Sequence, residues 1–150
     1  MHSYHYSLFH CVFATLERRP LIVPEIRERL WAFLGGTARE LGMKALIGGG
    51  IEDHVHVLLS LSSSISLAVA LQKLKANSSR WVHQTFVARA SFGWQRGYGA
   101  FSIGIAQVET TIRYIKNQER HHRKLGFQQE LRSFVEKHGL TWREDDEGGE

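Results

Sequence analysis

Two hydrophobic rhythms alternate along the chain, and the points where one gives way to the other mark its elements. From Tyr4 to Thr15 aromatic and β-branched residues dominate, which predicts a strand. Glu17-Arg18-Arg19-Pro20 breaks it with charge and proline. Pro24 suits the first turn of a helix, and Ile26, Leu30, Phe33, Leu34, Ala38 and Leu41 recur at helical spacing, so a helix is predicted from Pro24 to Leu41. Gly35-Gly36 inside it costs about 1 kcal/mol per glycine relative to alanine, which implies either a kink or another backbone packed close. A strand pattern resumes from Lys44 to Ile51, Glu52-Asp53 makes a tight turn, and His54-Val55-His56-Val57-Leu58-Leu59-Ser60-Leu61 returns as the second arm of a hairpin. Gly48-Gly49-Gly50 weakens the first arm. It reads as a β-bulge, with close approach of a ligand backbone as the alternative.

Ser62-Ser63-Ser64 is a polar connector, after which Ser64 or Ser66 caps a helix whose buried side is marked by Ile65, Val69, Leu74, Trp81 and Val82. Residues 87–97 read as a loop, and Trp94-Gln95-Arg96-Gly97-Tyr98-Gly99 leads into a strand through Phe101, Ile103 and Ile105. The order so far is βαββαβ. That predicts an α+β fold, the ferredoxin-like split βαββαβ antiparallel sheet with helices on one face. Additional C-terminal helices follow, from Gln107 to Lys124 and from Gln128 to Lys137. Leu131, Phe134 and Val135 give the second an apolar side, and Gly139 closes it.

With 150 residues and 43% hydrophobic content, a single domain over residues 1–143 is expected. There is no run of eighteen apolar residues and no charged-then-apolar leader, so no membrane span or signal peptide is expected, and a cytoplasmic location follows. Cys11 is the one cysteine, which excludes an internal disulfide and a cysteine-rich zinc site. A metal would have to be held by His, carboxylate or amide groups.

Charge changes the picture more. Residues 144–150 hold five of the fifteen acidic groups and no basic one, and read as an acidic disordered tail. Residues 1–143 therefore set nineteen Lys and Arg against ten Asp and Glu, a formal +9. A basic body suggests a polyanionic partner, most simply nucleic acid. Arg18, Arg19, Lys73, Lys75, Arg80 and Lys116 are the candidates to grip it.

In a strand His54 and His56 point the same way while Val55 and Val57 point into the core, so the two imidazoles can share one ion. Tyr114 and Gln118, four residues apart in a predicted helix, share a face. If Gln118 reaches that ion, Tyr114 stands beside it. A phenol with a pKa near 10 is a poor nucleophile until a metal or base stabilises its oxygen and the group it attacks.

These residues resemble the small single-tyrosine transposases of bacterial insertion sequences, members of the HUH endonuclease superfamily. His54-Val55-His56, preceded by Glu52-Asp53, is similar to the histidine-hydrophobe-histidine motif. Tyr114-Ile115-Lys116-Asn117-Gln118 looks like the tyrosine helix with its amide as third metal ligand. The Arg-Arg-Pro break and Gly97-Tyr98-Gly99-Ala100-Phe101-Ser102 also resemble the family, whose relatives include enzymes of repetitive palindromic sequences. The resemblance implies Tyr114 as catalytic nucleophile and His54, His56 and Gln118 as ligands of Mg²⁺ or Mn²⁺. It implies a homodimer, with active sites shared between subunits, that cuts and rejoins single-stranded DNA at hairpin-bearing ends through a 5′-phosphotyrosine. The alternative is a non-catalytic ferredoxin-like binder of RNA or single-stranded DNA, which would expose aromatics on its central strands where this chain places histidines.

Overall fold

In the computed structural model, which describes residues 1–122 and 125–144, four antiparallel strands form one sheet in the order β2-β3-β1-β4. They are β1 (Ser7–Ala14), β2 (Lys44–Ile51), β3 (His54–Leu61) and β4 (Gly99–Ile103). Helix α1 (Pro24–Glu40) joins β1 to β2, and α2 (Leu67–Thr85) joins β3 to β4. The expected βαββαβ order is therefore present. The first strand starts three residues later than the sequence suggests, and Ile105 leaves β4 for a short 3₁₀ turn.

Strand alternation divides the sheet into two buried faces. Cys11, Phe13, Val55, Val57 and Leu59 pack with Ile26, Leu30 and Leu34 of α1 and Ala70, Leu71 and Leu74 of α2. Ser66 caps α2, its side chain accepting from the Val69 amide at 3.1 Å. Val69 itself is exposed; Ala70 and Leu71 turn inward in its place. The opposite face carries His10, His54, His56 and Leu58, and it is buried too, beneath the C-terminal helices.

Those helices differ from expectation. The stretch read as one helix from Gln107 to Lys124 is broken at Asn117 (φ −99°, ψ 23°) into α3 (Val108–Lys116) and α4 (Gln118–His121). Asn competes for backbone hydrogen bonds and favours caps over helix interiors. Arg123 and Lys124 lie outside the described residues, as do residues 145–150 of the acidic tail. Helix α5 (Phe127–Lys137) follows, and Gly139 beyond it adopts a φ of 73°, the left-handed conformation that glycine tolerates.

The two glycine runs resolve differently from their sequence readings. Helix α1 passes through Gly35 and Gly36 without interruption, and a Cβ at either would meet nothing within 4 Å. Neither a kink nor a packed backbone accounts for them. In β2 the register shifts between Ala45 and Ile47, ahead of the glycines. Gly49, paired with His56, is where α3 crosses: a Cβ there would lie 2.7 Å from the Ile115 carbonyl oxygen. The close backbone belongs to the chain itself. This contact sets the helix that carries Tyr114 directly on the histidine hairpin.

Candidate active site

The turn before β3 is fixed before any functional group is placed. The Thr15 amide donates to the Asp53 carbonyl at 2.9 Å, the Thr15 hydroxyl donates to the same oxygen at 3.1 Å, and the Ile22 amide donates to the Glu52 carbonyl at 2.9 Å. Asp53 can then present its carboxylate to His54 Nδ1, 2.7 Å away. This interaction fixes the orientation of the ring and aims Nε2 away from the turn. His56 is fixed in the same manner by His10, whose Nε2 lies 2.7 Å from His56 Nδ1.

Both Nε2 atoms point to one spot. Gln118 Oε1 stands 3.1 Å from His54 Nε2, so α4 brings the amide to the histidines across 64 positions of sequence. The Tyr114 ring lies edge-on to His56 with centroids 5.8 Å apart. All four residues singled out by the chemistry of the sequence meet, and they meet within a single chain.

Four further residues join them. Glu130 of α5 places Oε1 3.0 Å from His56 Nε2, 3.3 Å from His54 Nε2 and 3.1 Å from His122 Nε2. Its Oε2 accepts from the Tyr114 hydroxyl and, at 3.0 Å, from Gln118 Nε2. His122 Nε2 also lies 3.1 Å from Gln118 Oε1. The ligand atoms of His54, His56, His122 and Glu130 lie within 4.8 Å of one another. The Phe127 ring lies tilted against His54 with centroids 4.5 Å apart, and Phe134 packs edge-on at 4.9 Å on His10 and 5.6 Å on Tyr114, closing the cluster from above.

Two of these residues leave a trace in the sequence. His122 continues the four-residue spacing of Tyr114 and Gln118, and Glu130 is a carboxylate beside the apolar residues Phe127, Leu131 and Phe134 of α5. Alone, such a residue is indistinguishable from a solvated acid.

Burial and charge set the proton affinities. Burial lowers that of His54, but its hydrogen bonds to the carboxylates of Asp53 and Glu130 more than reverse this and raise its pKa to about 9. His56 is lowered to about 4 by burial, and His10 to about 3 by burial and the neighbouring His56. Burial would raise Glu130, yet His122, His54 and His56 hold it well below the usual carboxylate range. Tyr114 is pushed above the ordinary phenol value by burial first and by Glu130 second. In this closed arrangement the phenol keeps its proton.

The donor set fits a divalent cation. With Asp53 accepting from Nδ1, the His54 Nε2 lone pair faces Gln118 Oε1 and Glu130 Oε1, three acceptors around one space. A positive centre, whether a proton on His54 or a metal ion, is what allows them to share it. The set is larger than the sequence suggests, because His122 adds an imidazole nitrogen and Glu130 a carboxylate oxygen to His54, His56 and Gln118.

The candidate nucleic-acid residues are dispersed by comparison. Arg18 (φ 52°) and Arg19 follow β1, and Arg19 pairs with Glu17 at 3.0 Å. Lys73 and Arg80 are exposed on α2, and Lys116 is exposed at the end of α3 on the other face of the sheet. Lys75 is turned inward instead and donates to the carbonyls of Gln95 and Gly97 at 2.7 and 2.8 Å.

The sequence signature of the transposases described as IS200-like matches residues 3–118, which spans β1 through Gln118 and so includes both histidines and Tyr114. The chain belongs to the IS200-like transposase family. It is therefore a transposase, a DNA-cleaving enzyme of DNA recombination. Among solved structures, the transposase fold is similar to that of a Deinococcus radiodurans R1 protein assigned as a transposase. The TM-score is 0.62 at 22% identity, over 79% of this chain and 95% of that one. It is also similar to a REP-associated tyrosine transposase bound to a REP hairpin, with a TM-score of 0.60 at 12% identity, over 83% of this chain and 75% of that one. No curated protein sequence matches the chain. Among the described residues of this transposase, no helix is long and apolar enough to cross a membrane.

Proposed function

We propose that this transposase cuts and rejoins single-stranded DNA at hairpin-bearing ends, with Tyr114 as the nucleophile. The observation that carries the reading is the convergence of Tyr114, His54, His56 and Gln118, from β3, α3 and α4, on one buried point. In the proposed step the Tyr114 oxygen loses its proton and forms a bond to phosphorus, the bond from phosphorus to the 3′ oxygen breaks, and the released 3′ oxygen takes up a proton, so that no net proton is gained or lost. The product is a 5′-phosphotyrosine and a free 3′-hydroxyl. The phosphodiester energy kept in the tyrosine ester lets the reverse attack rejoin strands without ATP.

His54, His56 and Gln118, joined by His122 and Glu130, would hold Mg²⁺ or Mn²⁺. When bound, such an ion polarises phosphoryl oxygens and stabilises the charge that develops on them. The chain's own groups do the remaining work. Asp53 and His10 hold the two imidazoles in register. Glu130 receives the hydrogen bond of the Tyr114 hydroxyl and so aims the phenol oxygen at the cluster. Phe127 and Phe134 exclude water from above. His54 and His56 are wholly buried and Gln118 is 1% exposed, so α5 has to shift before a phosphodiester can enter. Two DNA ends cut together require two tyrosines, which supports a homodimer as the acting unit.

Incubation with labelled single-stranded DNA from the flanks of its own gene tests the reading. A protein–DNA adduct that survives denaturation is expected from the wild type and not from Tyr114→Phe. Cleavage without any adduct would assign the chemistry to a different nucleophile.

A further inference from the structure

The segment Trp94-Gln95-Arg96-Gly97-Tyr98 brings aromatic and basic side chains to the start of β4, and nothing in the cleavage chemistry uses them. It is a built loop. Gly97 takes a φ of 83°, Lys75 Nζ ties down the carbonyls of Gln95 and Gly97, and Trp94 Nε1 donates to the Ser78 hydroxyl at 2.9 Å. Holding those carbonyls draws the Lys75 amine into a half-buried position, where desolvation lowers its pKa. The outcome of this bracing is an exposed ring. Tyr98 stays 44% accessible at a groove of about 450 Å³ between α2 and the loop, walled by Gln72, Lys75, Ser79, Trp94 and Arg96.

The groove's charge separates it from its neighbours. No carboxylate lines it, whereas the groove between α1 and α2 carries Glu40, and the groove between α1, β2 and α3 carries Glu25, Glu28 and Glu119. Arg96 is exposed and forms no ion pair among the described residues. A cation without a counter-charge beside an exposed, braced ring matches the two faces of a nucleotide, phosphate and base. Only an unpaired base can offer its flat face, since a duplex hides it in the stack.

We propose that this groove docks an unpaired nucleotide of the DNA, its base stacked on Tyr98 and its phosphate at Arg96. The proposal rests on the DNA-cleaving reading above and names a specificity surface apart from the Tyr114 cluster. The groove is also placed to feed that cluster. Gly99 follows Tyr98 at the edge of the sheet, and a Cβ there would lie 3.1 Å from Leu131 Cδ1 of α5, the helix that carries Glu130. A strand leaving Tyr98 thus rounds the sheet edge onto the face that holds Tyr114.

The test is fluorescence anisotropy with two labelled DNAs, one hairpin with a single-stranded extension and the same hairpin blunt. Tyr98→Ala should weaken binding of the extended DNA by about 5- to 150-fold, the range for loss of one base–aromatic stack, and leave the blunt hairpin unchanged. Tyr98→Phe, which keeps the ring, should bind the extended DNA within about twofold of wild type. Arg96→Ala should weaken it and flatten the log–log salt dependence by about 0.7, the value for one single-strand phosphate contact. If Tyr98→Ala binds both DNAs as the wild type does, the groove is not a nucleotide site, although the cleavage reading stands. If the wild type binds neither DNA, the cleavage reading falls as well.

Discussion

The Tyr114 hydroxyl donates its hydrogen bond to Oε2 of Glu130, a carboxylate on a different helix whose other oxygen lies between three histidines. The candidate nucleophile and the candidate cation site are therefore linked through a single side chain. With a carboxylate beside it and little solvent, the phenol is held above its ordinary pKa, and positive charge near Oε1 is what would offset this. Tyr114→Phe removes the oxygen but keeps a ring that packs against His56 and Phe134. The expected outcome is complete loss of the covalent adduct with DNA binding within about twofold of wild type, since an isosteric ring leaves the packing intact. An adduct that persists in this variant would move the nucleophile elsewhere.

The cation site is expected to prefer Mn²⁺ to Mg²⁺. Mg²⁺ demands near-octahedral oxygen ligands and dehydrates reluctantly, while three imidazoles suit a softer ion better. Titration calorimetry on the wild type should give the tighter binding for Mn²⁺. Glu130→Ala and His122→Ala should each weaken Mn²⁺ by at least about tenfold, the scale on which groups around a metal act. Unchanged Mn²⁺ affinity in both variants would confine the ligand set to His54, His56 and Gln118.

The hairpin, the alternation of β3 and the helical spacing of α1 were legible in the sequence because each is a local rhythm. The face shared by His54 and His56 was legible for the same reason. What could not be read was a long-range packing fact. Gly49 looked like a local defect, yet its missing side chain is explained by Ile115, which α3 brings across 66 positions of sequence. Glu130 was likewise invisible, because a carboxylate on an amphipathic helix gains meaning only from the histidines it meets. Asn117 shows the reverse case, a local break inside a rhythm that seemed continuous.

The two glycine runs give opposite stability predictions. Gly49→Ala sets a Cβ against backbone that cannot rotate away, and should destabilise by about 1–3 kcal/mol while displacing the helix that carries Tyr114. Gly36→Ala fills open space within a regular helix and should stabilise by about 0.5–1 kcal/mol. Urea denaturation of both variants checks the pair. Equal effects would mean that α3 does not rest on Gly49 in solution.

Cys11 is fully buried between the sheet and the α1–α2 layer, and burial pushes its thiol up to about 12. At pH 8 it should stay protonated and inaccessible, so a thiol reagent should label it only at the rate of unfolding. In urea above the midpoint, labelling should become fast. Rapid labelling of the native protein would show that β1 opens locally.

The last prediction concerns which chain supplies the tyrosine. Family resemblance implies sites shared between subunits, whereas here Tyr114 meets the histidines of its own chain. The contact is anchored by Ile115 on Gly49 and by Glu130 bridging to His54 and His56 of the same chain's β3. Exchange between subunits would have to break both. Mixing Tyr114→Phe subunits with His54→Ala/His56→Ala subunits separates the two arrangements. If each site forms within one chain, every site in the mixture lacks either the nucleophile or the imidazoles, and the mixture should be as inactive as its parts. If helices exchange, a mixed dimer contains one site with every group intact, and adduct should return to a fraction of the wild-type level. We expect no return, in a preparation shown by mass spectrometry to contain mixed dimers. Recovered cleavage would mean that α3 leaves Gly49 when two chains meet, and Gly49→Ala, by loosening that contact, should then favour exchange.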